Sequence, residues 1–225
     1  MRGAVAVVIG AGGGIGGALA DALRADPRHA VVVALRRPML DLTDEASIVA
    51  AARALPEGEL RLVFDATGFL HDTAQRPERS WRELDAAALA RNFALNAIGP
   101  ALLMKHFLPL LPRRGRAVFA TLSARVGSIG DNRLGGWYGY RAAKAALNQL
   151  VRTAAIELAR THPDAVCVAL HPGTVATPLS APFAKTGLTL RSPAAAAADL
   201  LAVVEALTPA QTGGFLDWRG QPVPW

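Results

Sequence analysis

The sequence predicts an α/β protein in which a doubly wound, mostly parallel sheet carries helices on both faces. Apolar runs of strand length alternate with alanine-rich stretches of helical period, which is typical of parallel strands joined by crossover helices. The first apolar run enters a glycine-rich turn and then a helical stretch. With 225 residues, 52% of them hydrophobic, the chain can bury one substantial core, so residues 1–225 are predicted to form a single domain.

The strands are predicted from apolar runs bounded by turn-forming residues. They cover residues 4–9, 30–35, 60–65, 116–122, 165–170 and 214–217. The helices are predicted over residues 15–25, 44–54, 86–110, 137–161 and 193–207. Several prolines lie near these helix ends, where a missing N–H does least harm.

The glycine-rich turn follows the first strand at once and suits a dinucleotide. A pyrophosphate can approach the backbone N–H groups at a helix N-terminus only where no Cβ intrudes. Gly10 is predicted to make the turn, and Gly14 and Gly16 to let phosphate and helix come close. The predicted phosphate-binding set is Gly10, Gly12, Gly13, Gly14, Ile15 and Gly16.

Tyr140 and Lys144 stand four residues apart in the fourth predicted helix. Residues i and i+4 lie on one helix face, so an ammonium can sit beside a phenol and lower its pKa. The spacing therefore predicts an acid–base catalyst.

Together these motifs resemble those of the short-chain dehydrogenase/reductases, which carry T-G-x-x-x-G-I-G and Y-x-x-x-K. Further matches follow in order: residues 65–68 stand where the family has N-N-A-G, Asn96 lies in a matching segment, and residues 172–177 match P-G-x-x-x-T. Residues 127–138 and 213–225 resemble the carbonyl-reductase branch that includes the sniffer and C-factor proteins. The resemblance covers nearly all of the chain. It implies a Rossmann fold of about seven strands in the order 3-2-1-4-5-6-7.

For catalysis, the resemblance implies hydride transfer between a nicotinamide and a carbonyl or alcohol, with Tyr140 exchanging the proton. Lys144 would lower the pKa of Tyr140 and bind the nicotinamide ribose. Asn96 would hold a water against Lys144. An asparagine that satisfies backbone groups at a helix bend is a compatible interpretation of the same residue.

The family's serine, which donates a hydrogen bond to the substrate oxygen, is the second of a Ser-Ser pair. In this chain Ser123 occupies the first place and Ala124 the second. Ser123 could donate this hydrogen bond after a local shift of the strand end, or Ser128 in the following loop could donate it. Alternatively, carbonyl polarisation could depend mainly on Tyr140. Of these, Ser123 is favoured.

Cofactor preference is predicted where the second strand ends. Arginine there would pair with a 2′-phosphate, so Arg36 and Arg37 favour NADP over NAD. Asp41 and Leu42 resemble the family's pair beside the adenine, although Asp41 is equally compatible with a helix cap.

Other segments are expected near the cofactor by resemblance. These residues are Ala66, Thr67, Gly68, Pro172, Gly173, Val175 and Thr177. Residues 178–190 are predicted to form a lid over the substrate. The candidate pocket walls are Phe69, Leu70, Trp137, Phe183 and Leu188.

The composition argues against several other classes of protein. The net charge of +6 comes from scattered arginines, so no nucleic-acid partner is expected. No run of about 18 uninterrupted apolar residues occurs, so no membrane-spanning helix is expected. The lone cysteine, Cys167, lies in an apolar run and suits a buried thiol in a reducing cytoplasm, and no metal site is expected.

Three functions remain open from sequence: an NADPH-dependent reductase of aldehydes or ketones, the same machinery run as an alcohol dehydrogenase, or a cofactor-binding signalling or scaffold protein. The substrate would be a small carbonyl or alcohol compound. By resemblance, the helices around residues 90–110 and 140–160 are expected to pair with a twofold mate in a homodimer or homotetramer.

Overall fold

The computed structural model describes residues 3–183 and 190–225 and has the single-domain α/β architecture that the sequence predicts. The strands are β1 Ala4–Ile9, β2 Val31–Leu35, β3 Glu59–Asp65, β4 Ala117–Leu122, β5 Ala165–His171 and β6 Phe215–Asp217. The helices are α1 Gly14–Arg24, α2 Glu45–Arg53, α3 Ala86–Phe93, α4 Gly99–Phe107, α5 Tyr138–Leu158 and α6 Pro193–Ala206. A π-helical turn, Ala94–Ile98, joins α3 to α4.

The strands form one parallel sheet in the order β2-β1-β3-β4-β5-β6. Over the described residues the sheet has six strands rather than about seven, and the strand expected outside the second is missing. Residues 36–44 pass from β2 to α2 through turns, and the chain then returns to pair with β1 as β3. This segment is too short for an extra crossover helix and strand, so β2 is an edge strand.

Each face of the sheet carries its own core, because alternate side chains of a strand point to opposite faces. Val5 and Val7 pack under α2, α4 and α5. Ala6 and Val8 pack under α1 and α6. The carboxyl ends of β1, β3, β4 and β5 consequently meet at one edge, with α5 starting beside it. Ligands of open parallel sheets bind at this edge.

The helical run Ala86–Leu110 is long and apolar enough, by length and composition, to cross a membrane. Its 18-residue window has a mean hydropathy of 1.2 and is 39% buried inside the protein. The core helix of a soluble protein passes the same test. The run contains Asn92 and Asn96, which are buried and hydrogen-bonded within the fold.

Candidate active site

The glycine turn between β1 and α1 brings two backbone segments into close contact. Gly10 has a φ of 82°, and a Cβ added at Gly16 would lie 2.2 Å from the carbonyl oxygen of Gly10. Gly13, which precedes α1, makes no side-chain capping hydrogen bond, and the first turn holds no acidic residue. The helix N-terminus thus offers backbone donors with no side chain in front of them. An anionic pyrophosphate fits this arrangement.

A cleft of about 610 Å³ runs from this turn along the carboxyl edge of the sheet. It brings together predicted cofactor residues from three segments: Gly10, Gly12, Gly13, Arg36, Arg37, Asp41, Leu42, Ala66, Thr67 and Gly68. Ile15 lies beside the cleft's turn and packs against the core instead. His71 and Arg91 also line the cleft, and no motif in the sequence pointed to them.

Arg36 and Arg37 are exposed and face the same cleft as Gly12. Within residues 3–183 and 190–225, neither side chain takes part in an ion pair. The carboxylate of Asp41 accepts from both the N–H and the hydroxyl of Thr43, and this lowers its pKa, with a smaller contribution from Arg37. The structure therefore shows Asp41 as a turn-stabilising residue and leaves the two guanidinium groups able to bind an anion.

The end of β3 is built around the carboxylate of Asp65, which is fully buried. It accepts hydrogen bonds from the hydroxyl of Thr121 at 2.6 Å and from both the hydroxyl and the N–H of Thr67, at 2.6 and 3.0 Å. Burial raises the pKa of Asp65, while these bonds and the charge of Lys144 oppose the increase. Asp65 thus accepts from a backbone donor, as an asparagine would, and it adds a negative group beneath the site.

Asn96 lies in the π-helical turn and is fully buried. Its side-chain oxygen accepts the N–H of Phe69 at 2.9 Å, and its amide donates to the Phe69 carbonyl at 2.7 Å. This side chain therefore holds the backbone that leaves β3 beside the cleft. These contacts match the interpretation of Asn96 as a side chain that satisfies backbone groups at a helix bend. π-Helical turns are often found at functional sites.

Tyr140 and Lys144 lie on the inner face of α5, and both are buried. The ammonium of Lys144 is 5.9 Å from the centre of the Tyr140 ring and donates to the carbonyl of Leu122 at 2.7 Å. Burial lowers the pKa of Lys144 to about 8, and the Asp65 carboxylate opposes this decrease. Burial also raises the pKa of Tyr140. The spacing does bring the two groups together, but desolvation outweighs the expected lowering of the phenol's pKa.

The hydroxyls of the two serines that follow β4 both form hydrogen bonds within the protein. The Ser123 hydroxyl is buried and donates to the side-chain oxygen of Asn148 at 2.6 Å. The Ser128 hydroxyl donates to the Trp225 carbonyl at 3.4 Å and accepts the N–H of Asp131 at 3.1 Å. Which of the three alternatives polarises the carbonyl, with Ser123 favoured from sequence, stays a prediction.

The segment after β5 returns to the glycine turn. Pro172 is followed by Gly173, whose φ of 78° and close approach to Trp218 leave no room for a side chain. Val175 forms a β-bridge with Arg191. The methyl group of Thr177 lies 3.0 Å from the position of a Cβ at Gly14, so Thr177 reaches the phosphate turn. The contact of Val175 with a nicotinamide stays a prediction.

Aromatic rings close the site above Tyr140. The ring of Trp137 is 6.3 Å from that of Tyr140 and 5.0 Å from that of Phe183, both edge to face, and His71 packs on Phe183 at 5.3 Å. Phe183 lies in the described part of the expected lid. Phe69 packs beneath the Arg91 guanidinium instead, and Leu70 is buried. Leu188 lies outside the described residues.

Among the residues that the structure describes, no cluster of His, Cys, Asp and Glu could hold a metal ion. A helix N-terminus without a side-chain cap and the two exposed arginines of the cleft fit a phosphorylated dinucleotide.

Known proteins resemble this chain in sequence and in fold. Residues 10–210 match the family model described as enoyl-(acyl carrier protein) reductase. The C-signal protein of Myxococcus xanthus is 38% identical over 144 residues, which cover 64% of this chain and 82% of that protein. The 1-hydroxy-2-glutathionyl-2-methyl-3-butene dehydrogenase of Rhodococcus sp. (strain AD45) is 33% identical over 195 residues, covering 84% and 79%. The NADPH-bound carbonyl reductase from chicken fatty liver has a TM-score of 0.87 at 27% identity, covering 100% of this chain and 95% of that one.

Proposed function

Because the chain belongs to the short-chain dehydrogenase/reductase family, in the C-factor-like carbonyl-reductase branch, we propose that it reduces aldehydes or ketones with NADPH. The observation that carries this proposal is that Lys144, with Tyr140 beside it, reaches the ends of β4 and β3, at the same edge of the sheet as the glycine-lined cleft. Bound NADPH would supply the hydride. The protein's own residues would hold the carbonyl and provide the proton.

Tyr140 is the proton donor in this proposal. Burial raises the pKa of its phenol, so the hydroxyl keeps its proton at neutral pH and can give it to a carbonyl oxygen. The Lys144 ammonium beside it stabilises the negative charge that develops in the transition state. The protonated phenol is the form that reduction requires, and the proposed preference for NADPH favours that direction over alcohol oxidation.

NADPH is proposed over NADH because of the two exposed guanidinium groups, those of Arg36 and Arg37, at the end of β2. Arginine forms planar, two-pronged hydrogen bonds that match phosphate. The carbonyl reductase from chicken fatty liver, which has the same fold, is NADPH-bound. Arg36 and Arg37 would hold the 2′-phosphate, and the turn of α1 the pyrophosphate.

A cofactor-binding signalling or scaffold role is the second candidate. Ala124 at the family's serine position favours it, because alanine cannot donate a hydrogen bond to a substrate. The two candidates differ in turnover: a scaffold binds the cofactor without oxidising it at a useful rate.

The test measures NADPH oxidation with a panel of aldehydes, ketones and quinones, for the wild type, Tyr140→Phe and the matched control Tyr138→Phe. General acid catalysis contributes about 10²–10⁴-fold, so Tyr140→Phe should lose about 100-fold or more in kcat. Tyr138, two residues away on the same helix, should be dispensable. Unchanged turnover in Tyr140→Phe would show that the mechanism is wrong. NADPH binding without wild-type turnover would favour the scaffold.

We also propose a homodimer or homotetramer in the cytoplasm. A groove of about 520 Å³ lies between the outer faces of α4 and α5 and is lined partly by apolar side chains such as Leu108, Leu150 and Ala154. This is the helix pair expected to meet a twofold mate. Light scattering coupled to gel filtration should give two or four times the chain mass of 23.5 kDa, and a monomer would refute the assembly. A reducing compartment suits the buried thiol of Cys167, whose pKa burial raises to about 12.

A further inference from the structure

The helix that carries Tyr140 and Lys144 starts without a cap of its own. Trp137 occupies the N-cap position with φ 55° and ψ 41°, makes no side-chain hydrogen bond, and is followed by a first turn with no acidic residue. Gly135 and Gly136 before it also have positive φ, at 63° and 65°. Bulky side chains rarely adopt this left-handed conformation, so something outside the helix must hold the turn.

Glu78, in a loop far away in sequence, holds the turn that starts α5. The backbone carbonyl of Glu78 accepts the N–H of Trp137 at 2.5 Å. Its carboxylate accepts the N–H of Gly139 at 3.2 Å. Two of the backbone donors that a helix start leaves free are thus satisfied by one residue. The carboxylate is buried, with 4% exposure, at the positive end of the helix dipole.

The packing around this contact is tight enough to require glycine. A Cβ added at Gly139 would lie 2.7 Å from the amide nitrogen of Asn92 and 2.9 Å from the second carboxylate oxygen of Glu78. Asn92 in turn accepts a hydrogen bond from Asn96 at 3.4 Å. Glu78 and Asn92 therefore both pack against Gly139 at the start of α5.

The opposite side of the turn is held by Arg141. Its guanidinium donates to the carbonyls of Gly136, Val126 and Gly135, at 2.9, 3.2 and 3.1 Å. Tyr140 lies between these two fixed neighbours, because Gly139 is bound by Glu78 and Arg141 binds the loop. The direction of the Tyr140 side chain thus follows from how firmly the first turn is held.

We propose that Glu78 is a positioning residue for the reaction: it caps the catalytic helix from a distance and so fixes the place of the Tyr140 hydroxyl. The kinetic part of this inference rests on the proposed function, whereas the structural part does not. Small displacements of a catalytic group of about 1 Å can reduce a rate by about 100-fold. A loss at Glu78 should therefore appear in kcat and leave cofactor affinity unchanged, since the NADPH cleft is lined by other residues.

The test compares Glu78→Ala, Glu78→Gln and Gly139→Ala with Glu83→Ala as a control. Glu83 also accepts a backbone N–H, that of Arg79, in the same loop, but it is exposed. Because the chain has two tyrosines, the Tyr138→Phe background leaves one tyrosine, and isotope-labelled tyrosine then gives an NMR signal from Tyr140 alone. NADPH affinity and kcat are measured on the same proteins.

Glu78→Ala and Gly139→Ala should shift or broaden the Tyr140 signal and lower kcat by about tenfold or more, with NADPH affinity within about twofold of the wild type. Glu78→Gln keeps an acceptor oxygen, so its Tyr140 signal and its kcat should both lie close to those of the wild type. If Glu78→Ala does not fold, the comparison of Gly139→Ala with Glu78→Gln decides.

An unchanged Tyr140 signal and kcat in Glu78→Ala, equal to those of Glu83→Ala, would overturn the inference. A parallel loss of NADPH affinity would also overturn it, because it would indicate a general structural defect. So would a Glu78→Gln variant as impaired as the alanine. If the wild type turns over no carbonyl, the proposed function fails, and the NMR comparison still decides whether Glu78 positions Tyr140.

Discussion

Substituting Ala124 by serine should make the enzyme faster. Ala124 stands where the family has its hydrogen-bonding serine, and it precedes the short 3-10 helix Arg125–Gly127 in extended conformation. A Cβ added at Gly127 would lie 2.8 Å from the Cβ of Lys144, so this turn presses directly on the catalytic helix. Serine is also a favoured residue before a helical turn, so the local backbone should accept it.

The expected size of the gain follows from what one hydrogen-bond donor does to a developing oxyanion. Removing such a donor lowers kcat by about 10²–10³-fold, or about 3–4 kcal/mol. The site around Ala124 has not been arranged for a hydroxyl, so only part of this is recoverable. We expect Ala124→Ser to raise kcat by about tenfold, with little change in NADPH affinity.

Stopped-flow and steady-state measurement of NADPH oxidation would check this, with Ser123→Ala as the paired variant. The Ser123 hydroxyl donates to Asn148 inside the protein, so its loss should leave kcat within about threefold and lower the unfolding free energy by about 1–3 kcal/mol. The reasoning is refuted if Ala124→Ser is no faster while Ser123→Ala loses about 100-fold, because Ser123 would then be the donor.

Two further predictions concern charge. Replacing Arg36 and Arg37 by serine should weaken NADPH binding by about 10–100-fold per arginine and leave NADH binding nearly unchanged, as fluorescence titration can measure. The control is Arg91→Ser, which removes a paired arginine of the same cleft and should leave the binding of both cofactors unchanged. An equal loss of NADH binding in the Arg36 and Arg37 variants would refute the phosphate assignment. Lys144 is charged below its pKa of about 8, so kcat/KM for reduction should fall as pH rises through about 8. The Asp65 carboxylate raises that pKa, so Asp65→Asn should move the decline to lower pH, and an unmoved profile would contradict it.

The strands and helices were predictable because burial on both faces makes each parallel strand a continuous apolar run. Predicted and observed strand ends differ little: residues 116–122 became β4 Ala117–Leu122. The pattern of apolar runs could not exclude the seventh strand that the family resemblance implied. Its absence depends on the short connection 36–44, which carries turns and a proline.

The site was predictable as far as local spacing determines it. Helical spacing brings Tyr140 and Lys144 together, and a glycine turn implies space for phosphate. Proton affinity was not predictable, because it depends on how deeply the completed fold buries each group. Glu78 and His71 were missed for a related reason: each acts on residues distant in sequence, and no local pattern marks such contacts.

Lys144 is a buried cation at the carboxyl edge of the sheet, where its burial is unfavourable for stability. Within the described residues its ammonium donates to the Leu122 carbonyl alone, although an ammonium has three protons to donate. A buried cation with unmet donors is unfavourable for folding, and the lowered pKa reports that penalty. The partial compensation by Asp65, itself held by Thr67 and Thr121, keeps the charge available. In the function proposed above, the remaining donors of Lys144 would bind the hydroxyls of a ribose, and the residue that weakens the fold would gain its partners from the cofactor.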